Sequence, residues 1–342
     1  MRDMDVSGAK WTYVTRTVPT GSPVSTAPLA SSVRSGDLVV ARVERIGVHD
    51  HIEDRNGRRV RMFPGDLIVG ACGNRYATDF FEGYVPEGSR TQLLTAGGLI
   101  GDVASAYDAH QDPTELQLVG SLVVDDRGPA CVADFARLPS PSVADGTDVD
   151  VIVVVGSGMN AGKTTTVAGI IRGLTRAGFA VGAGKVTGSG SGKDRWAYED
   201  AGAAALADFL DFGMPSTFGY PLERLGTTLL EIRDALVADG AEVVVLEIAD
   251  GLLQSETAWL VERLPDVADA IVFAAVDALS ARSGVEILRE IGLPLKAVSG
   301  LLTRSPLATR EAARVTGLPI LSPAELAGGA AVDLLAREMV LA

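Results

Sequence analysis

Cysteine, histidine and basic side chains are all scarce in this chain of 342 residues, and each shortage removes a class of function. Two cysteines, Cys72 and Cys131, cannot build a disulfide framework, so a reducing cytosol is the expected compartment. Thirty Lys and Arg stand against 44 Asp and Glu, a net charge of −14. General nucleic-acid affinity needs phosphate-neutralising cations, so none is expected. There is no run of about 18 apolar residues and no apolar stretch of signal-peptide type at the N-terminus. The expectation is a soluble cytoplasmic protein without a membrane partner. Of the three histidines, His49 and His51 flank Asp50 with alternate-residue spacing, which can place both rings on one strand face. A metal would need further ligands, and the other reading is a solvated hairpin.

What the chain does have is Val151 to Thr166, VIVVVGSGMNAGKTTT. Val151 to Val155 read as a buried parallel strand. Gly156, Ser157, Gly158, Met159, Asn160, Ala161 and Gly162 form a glycine-bearing turn. Lys163, Thr164 and Thr165 then open a stretch with helical spacing at Val167, Ile170, Ile171 and Leu174. Strand, glycine loop, Gly-Lys-Thr and helix is the context of a phosphate-binding P-loop. Glycines let backbone N–H groups approach phosphate oxygens, and the helix start adds unpaired N–H groups. Lys163 is expected on the β- and γ-phosphates and Thr164 on Mg²⁺. The pattern departs from the usual one at Ser157, where a glycine is the rule.

The rest divides around this loop. Residues 1–35 are polar, with Pro19, Pro23 and Pro28, and read as a flexible arm, with one strand over Lys10–Thr15. Residues 36–138 carry short alternating strands and an Asn56-Gly57 hairpin turn, the pattern of a small β-rich barrel or sandwich. Within it, Tyr76, Phe80, Phe81 and Tyr84 line a ligand groove or form a satellite core. Arg55, Arg58, Arg59 and Arg61 make a solvated hairpin edge or a site for an anionic partner. Residues 139–148 read as a linker. From 149 to 342 strands and helices alternate, which predicts a parallel sheet with helices on both faces. Helices are expected over Tyr198–Phe209 and, to close the chain, Pro323–Met339.

In such sheets ligands sit at the carboxyl ends of the strands. Lys185 ends the second strand, followed by Thr187-Gly188-Ser189-Gly190-Ser191-Gly192-Lys193-Asp194, whose serine- and glycine-rich part, 188–192, is expected to close over an acceptor. Lysine there can neutralise transition-state charge or hold an acidic substrate. Glu199-Asp200 opens the next helix, as a cap or as a Mg²⁺ ligand. Glu247 ends VVVLE, where a Walker-B acid belongs, with Asp250 just beyond.

Together GSGMNAGKT, KVTGSGSG, EDAGAAAL and VVVLEIADG resemble dethiobiotin synthetase, over about residues 150–325, and the same half is similar to the P-loop part of the DUF1611 proteins. The resemblance implies Lys163 on the phosphates, Thr164, Asp200 and Glu247 around Mg²⁺, Lys185 near the acceptor, and a homodimer. In that family a carbamate formed on a diamine attacks the γ-phosphate. Val186-Thr187 stands where the family has Pro-Val, and Ile248-Ala249-Asp250 replaces its glycine-rich turn, so a different substrate is expected. Residues 36–138 have no counterpart there.

The function expected is Mg·ATP-dependent phosphoryl transfer to a small-molecule acid, or ligation or cyclisation through a phosphorylated intermediate, with GTP as the other nucleotide. Lys163 and Lys185 would supply positive charge, and Asp194 and Asp250 are the general-base candidates. The alternatives are a nucleotide-dependent switch or chaperone whose β-rich domain binds a partner, and a polynucleotide 5′-hydroxyl kinase.

Overall fold

The computed structural model describes Val6 and residues 8–140 and 149–335. Most of the expected linker, 141–148, lies outside these, as do residues 1–5 and 7 of the arm and the end of the expected closing helix. The chain forms two compact units. The first comprises Met1–Leu138, Gly188–Lys193 and Phe209–Gly219, and the second Pro139–Thr187, Asp194–Asp208 and Tyr220–Ala342.

The first unit holds β1 (Lys10–Trp11), β2 (Val24–Ala27), β3 (Leu38–Arg45), the hairpin β4 (His51–Glu53) and β5 (Arg59–Arg61), β6 (Leu67–Cys72), β7 (Phe81–Tyr84), β8 (Arg90–Leu93), β9 (Leu99–Ala106) and β10 (Glu115–Val124). β3 pairs with β6, β6 with β9, β9 with β8, β8 with β10, and β10 with β3, so the ladder closes into a ring. Closure removes the free edges that a small sheet would otherwise expose. Val39, Ala41, Ile68, Leu93, Ile100 and Leu116 fill its core.

Two expectations fail here. The arm is built in: β1 pairs with β6, β2 pairs with β10, and the 3₁₀ turn Tyr13–Thr15 is buried. Its prolines mark turns between short strands and not a loose tail. The run 188–193, expected in the nucleotide-binding half, belongs to the first unit. Ser189 bridges Ser216, and Glu53 accepts from the Gly192 N–H (2.7 Å) and the Ser191 hydroxyl (3.1 Å). Main-chain and carboxylate hydrogen bonds hold this run, which its glycine content alone does not reveal.

The second unit contains β11 (Asp150–Gly156), α1 (Lys163–Arg176), β12 (Val181–Lys185), α2 (Gly192–Ala201, entering from the first unit), β13 (Ala205–Asp208), α3 (Leu222–Ala238), β14 (Val243–Glu247), α4 (Ser255–Val261), β15 (Ala270–Ala274), α5 (Ala278–Glu290), β16 (Leu295–Ser299), α6 (Pro306–Thr316) and α7 (Pro323–Gly328). The sheet runs β13-β12-β14-β11-β15-β16, and every pairing is parallel. Strand cores such as Ile152, Val154, Val245 and Val272 pack on Val167, Ile170, Ile171 and Leu174 of α1. A fully buried parallel sheet explains why these strands are nearly continuous apolar runs.

The helix expected over Tyr198–Phe209 is displaced. α2 ends at Ala201, Gly202 adopts φ +103°, and Ala205–Asp208 is an edge strand paired with β12. The alanine-rich stretch suits a helix by propensity, but a free strand edge and a helix-ending glycine decide otherwise. At the C-terminus α7 stops at Gly328, and a 3₁₀ turn follows over Ala330–Leu334. The Gly328-Gly329 pair breaks the long helix expected there.

Candidate active site

All six strands of the parallel sheet point their carboxyl ends at one edge, and β11, β12 and β14 carry the site residues there. β11 delivers the loop Gly156–Gly162 into α1. Two of its glycines are required by geometry. A Cβ on Gly156 would stand 2.9 Å from Lys163 Cγ, which crosses over it. Gly162, the N-cap of α1, sits at φ 97°, a left-handed conformation that costs other residues about 1–2 kcal/mol. Asn160 also has positive φ, 58°, and asparagine is among the few side chains that accept it.

Lys163 is 6% exposed, and its Nζ donates to the carbonyls of Gly158 (2.8 Å) and Asp250 (2.7 Å). Burial lowers its pKa below the ordinary lysine value, against the pull of Glu247 and Asp250. A buried ammonium resting on neutral carbonyls is poised to exchange them for phosphate oxygens. The Ser157 hydroxyl is buried without a partner in the same loop. Gly158 faces open space where a Cβ would be. An orphaned polar atom, open room and a folded-back lysine fit the phosphates of a nucleotide.

β12 and β14 lie side by side, with Lys185 in register with Glu247. Both end their strands at the same edge, and Glu247 reaches Thr164 at the start of α1. Thr164 Oγ1 is 3.2 Å from Glu247 Oε1 and 3.3 Å from Asp194 Oδ1. Lys185 Nζ pairs with Asp194 and is 3.9 Å from Glu247. Burial alone would depress the lysine, but Asp194 and Glu247 overcome it and hold the ammonium above its ordinary range. The Tyr198 hydroxyl donates to Glu247 Oε2. Asp250 follows β14 at φ 61°, and burial pushes its carboxyl up to about 6, with Lys163 and Lys185 opposing.

The structure therefore gathers Lys163, Thr164, Lys185, Asp194, Glu247 and the backbone of Asp250. It does not bring Asp200 into this group. Asp200 is exposed near the end of α2, and Asp194 takes the place beside Thr164. Six residues along a helix is about 600°, so Asp194 and Asp200 point to different sides. Thr165 is exposed on the first turn of α1. Tyr198 escaped sequence reasoning, because only the true register of α2 shows that it shares a face with Asp194.

No group of three or more His, Cys, Asp and Glu side chains suited to a metal ion exists among the described residues. Mg²⁺ in phosphate sites usually keeps waters and takes one or two carboxylates plus phosphate oxygens. Thr164 with Glu247 and Asp194 fits that mode and not an all-protein cage.

Of the other polar sequences, Arg58, Arg59 and Arg61 of the hairpin are exposed, while the histidines and Arg55 are packed against neighbours. In the first unit, His49 stacks on Phe80 at 4.8 Å, and His110 stacks on Phe80 at 4.1 Å. Arg75 lies 4.7 Å from the centre of the Phe80 ring, so Phe80 and Phe81 form a packed cluster. His51 pairs with Asp50 at 2.6 Å. Arg55 covers Trp11 and donates to the Arg16 and Val18 carbonyls. No helix among the described residues is long and apolar enough to cross a membrane.

No protein-family model matches the chain, and no curated protein matches it. Solved structures similar to it include signal recognition particle 54 kDa protein from Aeropyrum pernix K1 in complex with GDP, at 20% identity and TM-score 0.38 over 54% of this chain. The receptor FtsY from Elizabethkingia anophelis follows at 15% identity, TM-score 0.36, over 56% of this chain and 67% of that one. FtsY from Thermotoga maritima gives 14% identity and TM-score 0.36, over 58% of this chain and 74% of that one. The match spans 44% of the Aeropyrum protein. None of the three is named as a dethiobiotin synthetase or a DUF1611 protein.

Proposed function

We propose that this chain uses a Mg²⁺-bound nucleoside triphosphate, ATP or GTP, to phosphorylate a carboxylate or carbamate oxygen of a small acidic acceptor. The observation that carries this reading is the second lysine. Lys185 stands beside Asp194 and Glu247, which both reach Thr164, at the strand edge that also bears the P-loop. Hydrolysis alone can proceed with the P-loop lysine and an oriented water. A further buried ammonium at the same edge suits an anionic acceptor and the charge that develops on transfer.

In this reading the acceptor oxygen attacks the γ-phosphorus. The bond to the β,γ-bridging oxygen breaks, and its electron pair leaves with the nucleoside diphosphate. The product is a mixed anhydride, suited to ligation or ring closure. Lys163 holds the β- and γ-phosphates and Lys185 holds the acceptor. Thr164, Glu247 and Asp194 are the residues that would hold Mg²⁺, which supplies positive charge across the phosphates. Asp250, with its carboxyl near 6, is the candidate base for an acceptor that must first lose a proton. Asp194 is already engaged by Lys185 and is less suited to that role.

The test is turnover of ATP and GTP with Mg²⁺ while small amino acids, amines and carboxylates are added, with and without bicarbonate. One acceptor class is expected to raise turnover in wild type and to do nothing in Lys185→Met. Slow hydrolysis that no acceptor changes would overturn the reading in favour of a nucleotide switch.

A further inference from the structure

Helix α2 presents two polar side chains on one face, Asp194 and Tyr198, four residues apart. Asp194 reaches Lys185 and Thr164, and Tyr198 reaches Glu247. Tyr198 is 1% exposed and Glu247 2%. We propose that Tyr198 is a positioning residue for the divalent cation: its hydroxyl fixes which oxygen of Glu247 is offered to the metal. This rests on the reading of the site as a Mg·nucleotide site.

A carboxylate has two oxygens and can turn about its last bond. Here the two oxygens are used differently. Oε2 accepts the Tyr198 hydroxyl, while Oε1 lies 3.2 Å from Thr164 Oγ1 and 3.9 Å from Lys185 Nζ. With Oε2 tied, Oε1 is the oxygen turned to Thr164, which with Asp194 would also hold the cation. The phenol is a donor at neutral pH, since tyrosine ordinarily keeps its proton up to about 10.

Packing does not account for the hydroxyl. The ring belongs to a core with Val167, Ile171, Val181 and Ala183, and phenylalanine would fill the same volume. A buried hydroxyl is costly without a partner, so tyrosine is explained by the carboxylate it meets. Partners that orient metal ligands commonly set metal affinity by about 10- to 100-fold.

The experiment is a Mn²⁺ titration followed by electron paramagnetic resonance, with a non-hydrolysable ATP or GTP analogue bound, on wild type and Tyr198→Phe. The expected result is Mn²⁺ binding weakened about tenfold or more, with analogue binding in the presence of a chelator unchanged. In a Glu247→Gln background the same substitution is expected to add nothing. Equal Mn²⁺ affinity in Tyr198→Phe and wild type, whatever the change in Tm, would overturn the proposal and reduce Tyr198 to a packing role. Should the phenylalanine variant not fold, 4-methylphenylalanine at 198 keeps the shape of tyrosine and removes the donor. Mn²⁺ binding is expected to weaken as in Tyr198→Phe, and unchanged binding would overturn the proposal. If wild type binds neither analogue, the nucleotide-site reading falls first. If it binds one and Tyr198→Phe matches its Mn²⁺ affinity, only the inference about Tyr198 falls.

Discussion

The two units bury charge in opposite ways. In the first, Arg75 and His49 both reach the Leu94 carbonyl and lie against aromatic rings, so their partners are permanent. In the second, Lys163 rests on two carbonyls, Ser157 has an unpartnered hydroxyl, and Lys185 and Thr164 lie between two carboxylates. Topology produces the contrast. A closed, mostly antiparallel ring has no common end where polar residues collect. A parallel sheet brings every carboxyl end to one edge, so residues distant in sequence meet there. In the first unit, buried basic side chains held by a carbonyl and aromatic rings stabilise the fold, whereas in the second two lysines, a threonine and two carboxylates gather at the strand edge that bears the P-loop.

The most severe way to break the comparison is Lys163→Ala. Its loss is expected to reduce triphosphate turnover by about 10²–10³-fold or more, read as kcat/KM. An Arg75→Met change, by contrast, is expected to lower Tm and leave analogue affinity unchanged. Next comes Asp194→Asn, which leaves the buried Lys185 ammonium without its nearest carboxylate. A loss of about 10²-fold in turnover and a few kcal/mol in stability are expected. Chemical denaturation beside kinetics would measure both. Retention of full turnover would exclude Asp194 from the site.

Acid titration sharpens the contrast, because the units carry opposite slopes. Asp250 is raised by burial from 3.8 to about 6. Its share of stability is complete below pH 3.8 and is lost as pH rises through 6. His49 is lowered by burial from 6.5 to about 4, with Arg75 adding to the effect. Its share is complete above pH 6.5 and is lost as pH falls through 4. Each is worth at most about 3 kcal/mol. Hydrogen exchange between pH 4 and 7, corrected for intrinsic rates, is expected to show β14 and β4 changing in opposite senses. Asp250→Asn is expected to flatten the first, since asparagine tolerates the positive φ, and His49→Leu the second. A common slope in both units would contradict the assignment. The smallest effect is that of Asp200→Asn, expected within about twofold of wild type in turnover.

Legibility followed the range of the interactions. The loop from Gly156 to Thr164 could be read because a strand, a turn and a helix start are adjacent in sequence. Lys185 and Glu247 could be read because each ends an apolar run, and parallel order brings strand ends together. Asp194 and Tyr198 as partners of Thr164 and Glu247 could not. The alanine-rich stretch after Tyr198 invites a helix by propensity, but pairing with β12 makes it a strand and moves α2 toward the N-terminus. The run 188–193 was equally hidden, because Glu53 and Ser216, which hold it, lie far away in sequence. Ring closure in the first unit likewise depends on β6 meeting β9, a pairing that alternation in either strand does not reveal.

Calorimetric titration with a non-hydrolysable triphosphate, with and without Mg²⁺, tests the central claim that the strand-end edge of the second unit is a phosphate and cation site. The account predicts one analogue bound per chain, strengthened by Mg²⁺ and lost in Lys163→Ala. Absence of binding in wild type, or binding that Lys163→Ala leaves intact, would contradict it.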